Sequence, residues 1–192
     1  MNAALRAKSI VIDPAAEWQV IEKDSGDAAY VLTRYVAWLA IIPSLAGFIG
    51  ACLIGITTNN GATQRTPLLD GMFGAIFGYV VTCATVLVLA ICISLLAPLF
   101  GGRRSFDGAF KLAVYSFTPV WLAGIFLLLP GLHFLALLSC YGLYILWLGA
   151  PRLAKVPEPM SLTFAITIAA IAALLIYAAA TAQHVIFGTP GL

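Results

Sequence analysis

Charge is what this chain has least of: ten lysines and arginines and eight aspartates and glutamates are spread over 192 residues, or 9% against roughly 25% in soluble domains. A water-facing surface cannot be built from so little. The two signs nearly cancel, leaving a formal net charge of +2, which excludes the basic surface that nucleic acid requires. Cysteine is sparse as well. Cys52, Cys83, Cys92 and Cys140 all lie in apolar stretches and none forms a C-x-x-C pair, so neither a disulfide framework nor a zinc site is implied. Histidine occurs twice, at His133 and His184, without carboxylates nearby in sequence. H-E-x-x-H, G-x-S-x-G and phosphate-loop glycine patterns are missing, as are paired carboxylates within an apolar run and any internal repeat. The sequence therefore offers no catalytic, cofactor or metal residues, and the expected protein is not an enzyme.

What is abundant is apolar surface: 62% of residues are hydrophobic and the mean hydropathy is +1.02. Five apolar runs, at 35–56, 72–99, 112–129, 132–148 and 162–182, each come near the ~20 residues that cross a bilayer as a helix. None contains Asp, Glu, Lys or Arg. The second, at 28 residues, would measure about 42 Å and must tilt, bend or project beyond the membrane. The expected fold is thus all-α: a polytopic bundle of five transmembrane helices over 35–192, preceded by a cytoplasmic segment, 1–34, with a short interfacial helix. The only apolar run before the first span, Ile10 to Ile12, is too short for a cleavable signal, so the first span is expected to serve as its own.

Basic residues sort across these spans. Arg6, Lys8, Lys23, Arg34, Arg103, Arg104, Lys111, Arg152 and Lys155 fall on one side and Arg65 alone on the other. The positive-inside rule then puts the N-terminus in the cytoplasm and the C-terminus outside.

Local signals refine this picture. Asp13 followed by Pro14 reads as a helix start, and Trp18 and Ile21 share one face of that helix. Asp107 and Ser161 stand where they could cap the third and fifth spans. Pro130 and Gly131 would join the third and fourth spans in a tight hairpin. Pro43 and Pro119 lie inside spans, where each removes an N–H and frees a carbonyl, of Leu39 and Tyr115, so kinks are expected. Tyr115, Ser116, Thr118 and Pro119 together form the candidate polar centre of the bundle. Trp18, Arg103 and Arg104 are candidate cytoplasmic contacts, the arginines suited to anionic headgroups. Small-residue pairs, Gly74 with Gly78, Gly47 with Ala51 and Ala46 with Gly50, mark close helix contacts within the chain or with a second copy.

Several of these residues also carry a family resemblance. Pro14-x-x-Glu17-Trp18-x-x-Ile21 precedes the first span, and Ala109-Phe110-Lys111-x-x-x-Tyr115-x-x-x-Pro119 lies in the third. The Pro130 hairpin follows, then Tyr141-Gly142-Leu143-Tyr144 and Gly149 in the fourth. In this order the chain resembles the Yip family of five-span membrane proteins, in its short bacterial branch. For eukaryotic members the resemblance implies vesicle trafficking, through GTPases bound by a long cytoplasmic head. With 34 residues before the first span, that role is not carried over here. The expectation is a non-enzymatic membrane protein acting by association with lipid, with itself or with other membrane proteins. The alternative is a small-solute or lipid transporter or channel, with Thr82, Thr85, Tyr115 and Tyr141 lining its path. A membrane enzyme built around His133 comes third.

Overall fold

The computed structural model describes residues 2–57, 63–128, 135 and 137–187. Two short helices form the head, α1 (Ala3–Ile12) and α2 (Pro14–Lys23). Five helices follow that are long and apolar enough to cross a membrane: α3 (Ala28–Ile54), α4 (Leu68–Phe100), α5 (Phe106–Leu128), α6 (Leu137–Ala154) and α7 (Glu158–Phe187). The protein is an all-α polytopic bundle. The sole strands among the described residues, β1 (Ile56–Thr57) and β2 (Thr63–Gln64), make a two-residue antiparallel ladder between α3 and α4.

α3, α4, α5 and α7 start in their polar flanks and so begin before the apolar runs do, whereas α6 is described only from Leu137, inside its run. Asp27 caps α3 by accepting from the Tyr30 N–H at 2.8 Å. Ser105, not Asp107, caps α5, accepting from the Gly108 N–H at 3.3 Å. Asp107 instead reaches across to α3 and accepts from the Ala28 N–H at 3.2 Å, so two carboxylates face the positive end of that helix. Ser161 is also not a cap: α7 has already begun at Glu158, and the Ser161 hydroxyl donates back to the Glu158 carbonyl.

Neither proline simply kinks its helix. Around Pro119 the helix stops and restarts: α-helix runs from Phe106 to Ser116, Phe117 turns, and Thr118–Ala123 resumes with Pro119 in its first turn, where no N–H is needed. In α3 the interruption is at Ala40, ahead of Pro43, with wider π-turns at Leu32–Val36 and Ile49–Ile54. Pro43 fills the space over Gly124 of α5, where a Cβ would lie 2.6 Å from the proline's own.

Of the five long helices α5 is the most enclosed and α7 the least. α5 packs along α4 and α6, and α7 lies against α4 and α6. Gly74 and Gly78 face Gln183 of α7, whose side-chain amide donates to the Gly74 carbonyl at 3.3 Å. That small-residue face is thus occupied within the chain. The Pro130–Gly131 hairpin falls outside the described residues, as does His133.

Candidate functional site

The centre of the molecule is a chain of aromatic rings running from the head into the bundle. Trp18 of α2 meets Tyr115 of α5 edge to face at 6.1 Å, and Tyr115 meets Tyr35 of α3 at 4.8 Å. Tyr35 in turn lies 6.4 Å from Trp121, which packs edge-on against Phe117 at 5.7 Å. All five rings are buried. Edge-to-face contacts of this kind add ~0.5–1.5 kcal/mol beyond the area they bury. Within hydrocarbon, such fitted contacts and polar bonds, not the hydrophobic effect, hold helices together.

Of the four residues expected at a polar centre, the side chains of Tyr115 and Thr118 meet here against Tyr35, Ser116 is buried, and Pro119 shapes the helix that carries them. Thr118 shares a 2.8 Å hydrogen bond with the Tyr35 hydroxyl. Tyr115 lies between Trp18 and Tyr35. Ser116 is buried with its hydroxyl unpartnered among the described residues, a property shared by the indole nitrogen of Trp121. Pro119 restarts the helix that carries them. The break at Phe117 lets one helix present Tyr115 and Thr118 toward the same neighbours.

Trp18, expected as a cytoplasmic contact, is not one: it is fully enclosed, and its indole N–H donates to the Ile145 carbonyl of α6 at 3.0 Å. Gly149, one turn further along α6, makes the space. A Cβ there would stand 2.6 Å from Trp18 Cε2 and 2.6 Å from Leu112 Cδ1. Tyr141 closes the deep end of the seat by donating its hydroxyl to the Val11 carbonyl at 3.1 Å. Gly142, beside it, lies against the Ser116 carbonyl.

Charge holds the other end. Arg6 pairs with Glu17 at 2.6 Å and Asp24 at 3.1 Å, joining α1 to both ends of α2. The buried Lys111 of α5 donates to the Asp24 carbonyl at 2.5 Å, so a cation inside a long apolar helix is satisfied by the head's main chain. Glu22 pairs with Lys155 at 2.5 Å and Arg152 at 3.7 Å. The hydrogen bond from Lys155, above all, pulls its carboxyl below the ordinary 4.5, against an opposing effect of burial; the nearby charges of Lys155 and Arg152 pull the same way.

Arg103 and Arg104 are exposed and stand apart from this seat. Their loop is nonetheless fixed, since the Arg103 N–H donates to the Ala154 carbonyl at 2.8 Å and Gly102 lies too close to that carbonyl for any side chain. The glycine pair therefore has a packing role. Among the described residues, no group of three or more His, Cys, Asp or Glu comes together as a metal site.

Tyr35, Trp121, Arg6 and Asp24 belong to the site and were not singled out as parts of it from the sequence. Tyr35 is the first residue of an apolar run, and Arg6 finds its partners 11 and 18 residues away across a turn. A fixed-spacing motif registers neither.

The residues that carry the family resemblance are the ones that make this seat: Trp18, Lys111, Tyr115, Tyr141, Gly142 and Gly149. The Yip1 domain matches residues 8–180. The chain belongs to the Yip1 family. Its match takes in α2 and all of α3 to α6, so the Yip1 domain here includes the docked head as well as the bundle. Among curated proteins, the inner membrane protein YohC of Escherichia coli strain K12 is 29% identical over 167 residues, covering 85% of this chain and 86% of the relative. The YohC protein of Escherichia coli O6:H1 strain CFT073 matches to the same extent. No solved structure matches the chain. This is a membrane protein of the Yip1 family, similar to a bacterial inner membrane protein.

Proposed function

We propose that this Yip1-family protein acts without catalysis, by association with membrane partners or lipids, in organising the membrane in which it sits. The observation that carries the reading is how its polar groups are used. A transport path needs hydroxyls turned toward a shared passage, and two of the four expected along one are spent on main-chain carbonyls instead. Thr85 donates to the Val81 carbonyl of its own helix at 2.9 Å, Tyr141 to Val11, and Tyr115 is packed between two aromatic rings. The interior is used for fit, which leaves the outer helix faces and the exposed Arg103 and Arg104 as the working surfaces. A second copy, another membrane protein and anionic lipid are the partners these surfaces suit. The nine-to-one sorting of basic residues favours an N-terminus in the cytoplasm and a C-terminus outside.

Gentle purification from native membrane, followed by mass spectrometry of proteins and lipids together, tests the reading. A stoichiometric companion or an enriched anionic lipid, lost on Arg103→Glu with Arg104→Glu, is the expected result. Solute flux in proteoliposomes that Tyr141→Phe abolishes would overturn it. A C-terminal reporter that works only in the cytoplasm would overturn the orientation.

A further inference from the structure

The head hydrogen-bonds along α6 in a fixed register. Glu22 pairs with Arg152 and Lys155 at one end, Trp18 bonds the Ile145 carbonyl, and Val11, next to the turn between α1 and α2, bonds Tyr141. From Arg152 to Tyr141 the helix rises about 16 Å at 1.5 Å per residue. Half the hydrocarbon thickness is about 15 Å. Since α6 is one of the membrane-length helices, a turn about 16 Å along it from Arg152 lies about halfway through the hydrocarbon.

We infer that α1 and α2 form a re-entrant hairpin, which enters the bilayer from the side of Arg152 and Lys155, turns near the midplane, and presents its outer face to lipid acyl chains. That outer face is suited to hydrocarbon at depth. Ile12 and Val20 are 69% and 52% exposed, and Ala15 and Ala16 lie exposed between them. With Ala4 and Leu5, the latter 62% exposed, these make six uncovered apolar positions on two ten-residue helices in water; in lipid they need no cover. The head's charged groups are arranged to match. Arg6 pairs with both Glu17 and Asp24, leaving one net negative charge beside the Lys111 ammonium, and Glu22 and Lys23 lie at the mouth. Lys8, exposed one turn above Ile12, has a four-carbon stem long enough to carry its ammonium toward the headgroups.

Asp13, at the turn itself, is the costly group. It is placed where a carboxylate is best tolerated, at the start of α2 and accepting the Ala16 N–H at 3.0 Å. Two independent features thus support the buried hairpin: register along α6 and an outer face rich in exposed apolar side chains, broken by Lys8, Asp13 and Gln19. Both arms of the hairpin are helical, which pairs most of their N–H and C=O groups as hydrocarbon requires.

A nitroxide side chain introduced as an unnatural amino acid at Ile12, Val20 or Lys23 leaves all four native cysteines in place. In proteoliposomes, collision with dissolved oxygen and with a water-soluble nickel chelate reports depth. The expected result is a graded series, with residue 12 severalfold less accessible to nickel than residue 23 and residue 20 between. Equal nickel access at 12 and 23 would overturn the inference; should the label at 12 prevent assembly, the comparison of 20 with 23 decides in the same way. Asp13→Asn keeps the helix cap and removes the charge, so it is expected to raise thermal stability in nanodiscs. Unchanged or lower stability would count against the hairpin's depth.

Discussion

The indole N–H of Trp18 donates to the main-chain carbonyl of Ile145, 127 residues further along the chain, and the ring reaches it because Gly149 carries no side chain. One tryptophan and one glycine thereby set the register of the head on the bundle.

Gly149→Ala is expected to cost about 1–3 kcal/mol, the usual penalty for an added carbon in a filled space. Trp18→Phe removes the indole Cε2 and Cζ2, two of the three atoms that carbon would strike, leaving Leu112 Cδ1, so the double variant should lose less than the sum of the singles. Thermal unfolding of all four proteins in one nanodisc preparation completes the cycle. Strict additivity would separate Gly149 from the head.

The attachment of the head should weaken in acid. Glu22 has a carboxyl lowered below 4.5 in the folded protein, so its contribution is complete above 4.5 and is lost as pH falls through the lowered value. Limited proteolysis of the head is expected to accelerate below pH 4.5 relative to pH 7, and Glu22→Gln should be fast at both. Exchange of partners, Glu22→Lys with Lys155→Glu, should restore slow cleavage at pH 7.

Lys155 is the one non-glycine residue with positive φ among those described, at 55°. Its two roles can be separated. Lys155→Gly loses the pair with Glu22 but fits the backbone, whereas Lys155→Val loses the pair and strains the left-handed turn. The valine variant is expected to be less stable than the glycine variant by about 1–2 kcal/mol, read from thermal melts.

Ser116 and Trp121 keep buried polar atoms without partners among the described residues. Ser116→Ala is therefore expected to be neutral or to stabilise by up to about 1 kcal/mol, while Thr118→Val, which strips Tyr35 of its partner, should destabilise by about 1–3 kcal/mol. A stability loss with Ser116→Ala equal to that with Thr118→Val would mean that the serine hydroxyl is bonded.

The five membrane helices were legible because apolar length is a one-dimensional property, whereas Tyr35, which bonds Thr118, was not, because its partner lies 83 residues away. The head was not legible in the same way. A tryptophan beside an isoleucine one turn on looks identical whether it faces headgroups or a neighbouring helix; only the groove beside Gly149 separates the two. The helix from Ala3 to Ile12 was missed because its buried stripe, Ala3, Ala7, Ile10 and Val11, is half alanine and makes a faint apolar signal, and its ion pairs close only after α2 has folded back. Asp107 and Ser161 were misread as caps because spacing alone does not say which helix end a short polar side chain serves.

The main-chain bond from Arg103 to Ala154 stitches the loop between α4 and α5 to the turn between α6 and α7. Because the joint is made by main-chain atoms, replacing the Arg103 and Arg104 side chains leaves it standing, so the charge this corner shows to its surroundings can be rewritten without unpicking the fold beneath it.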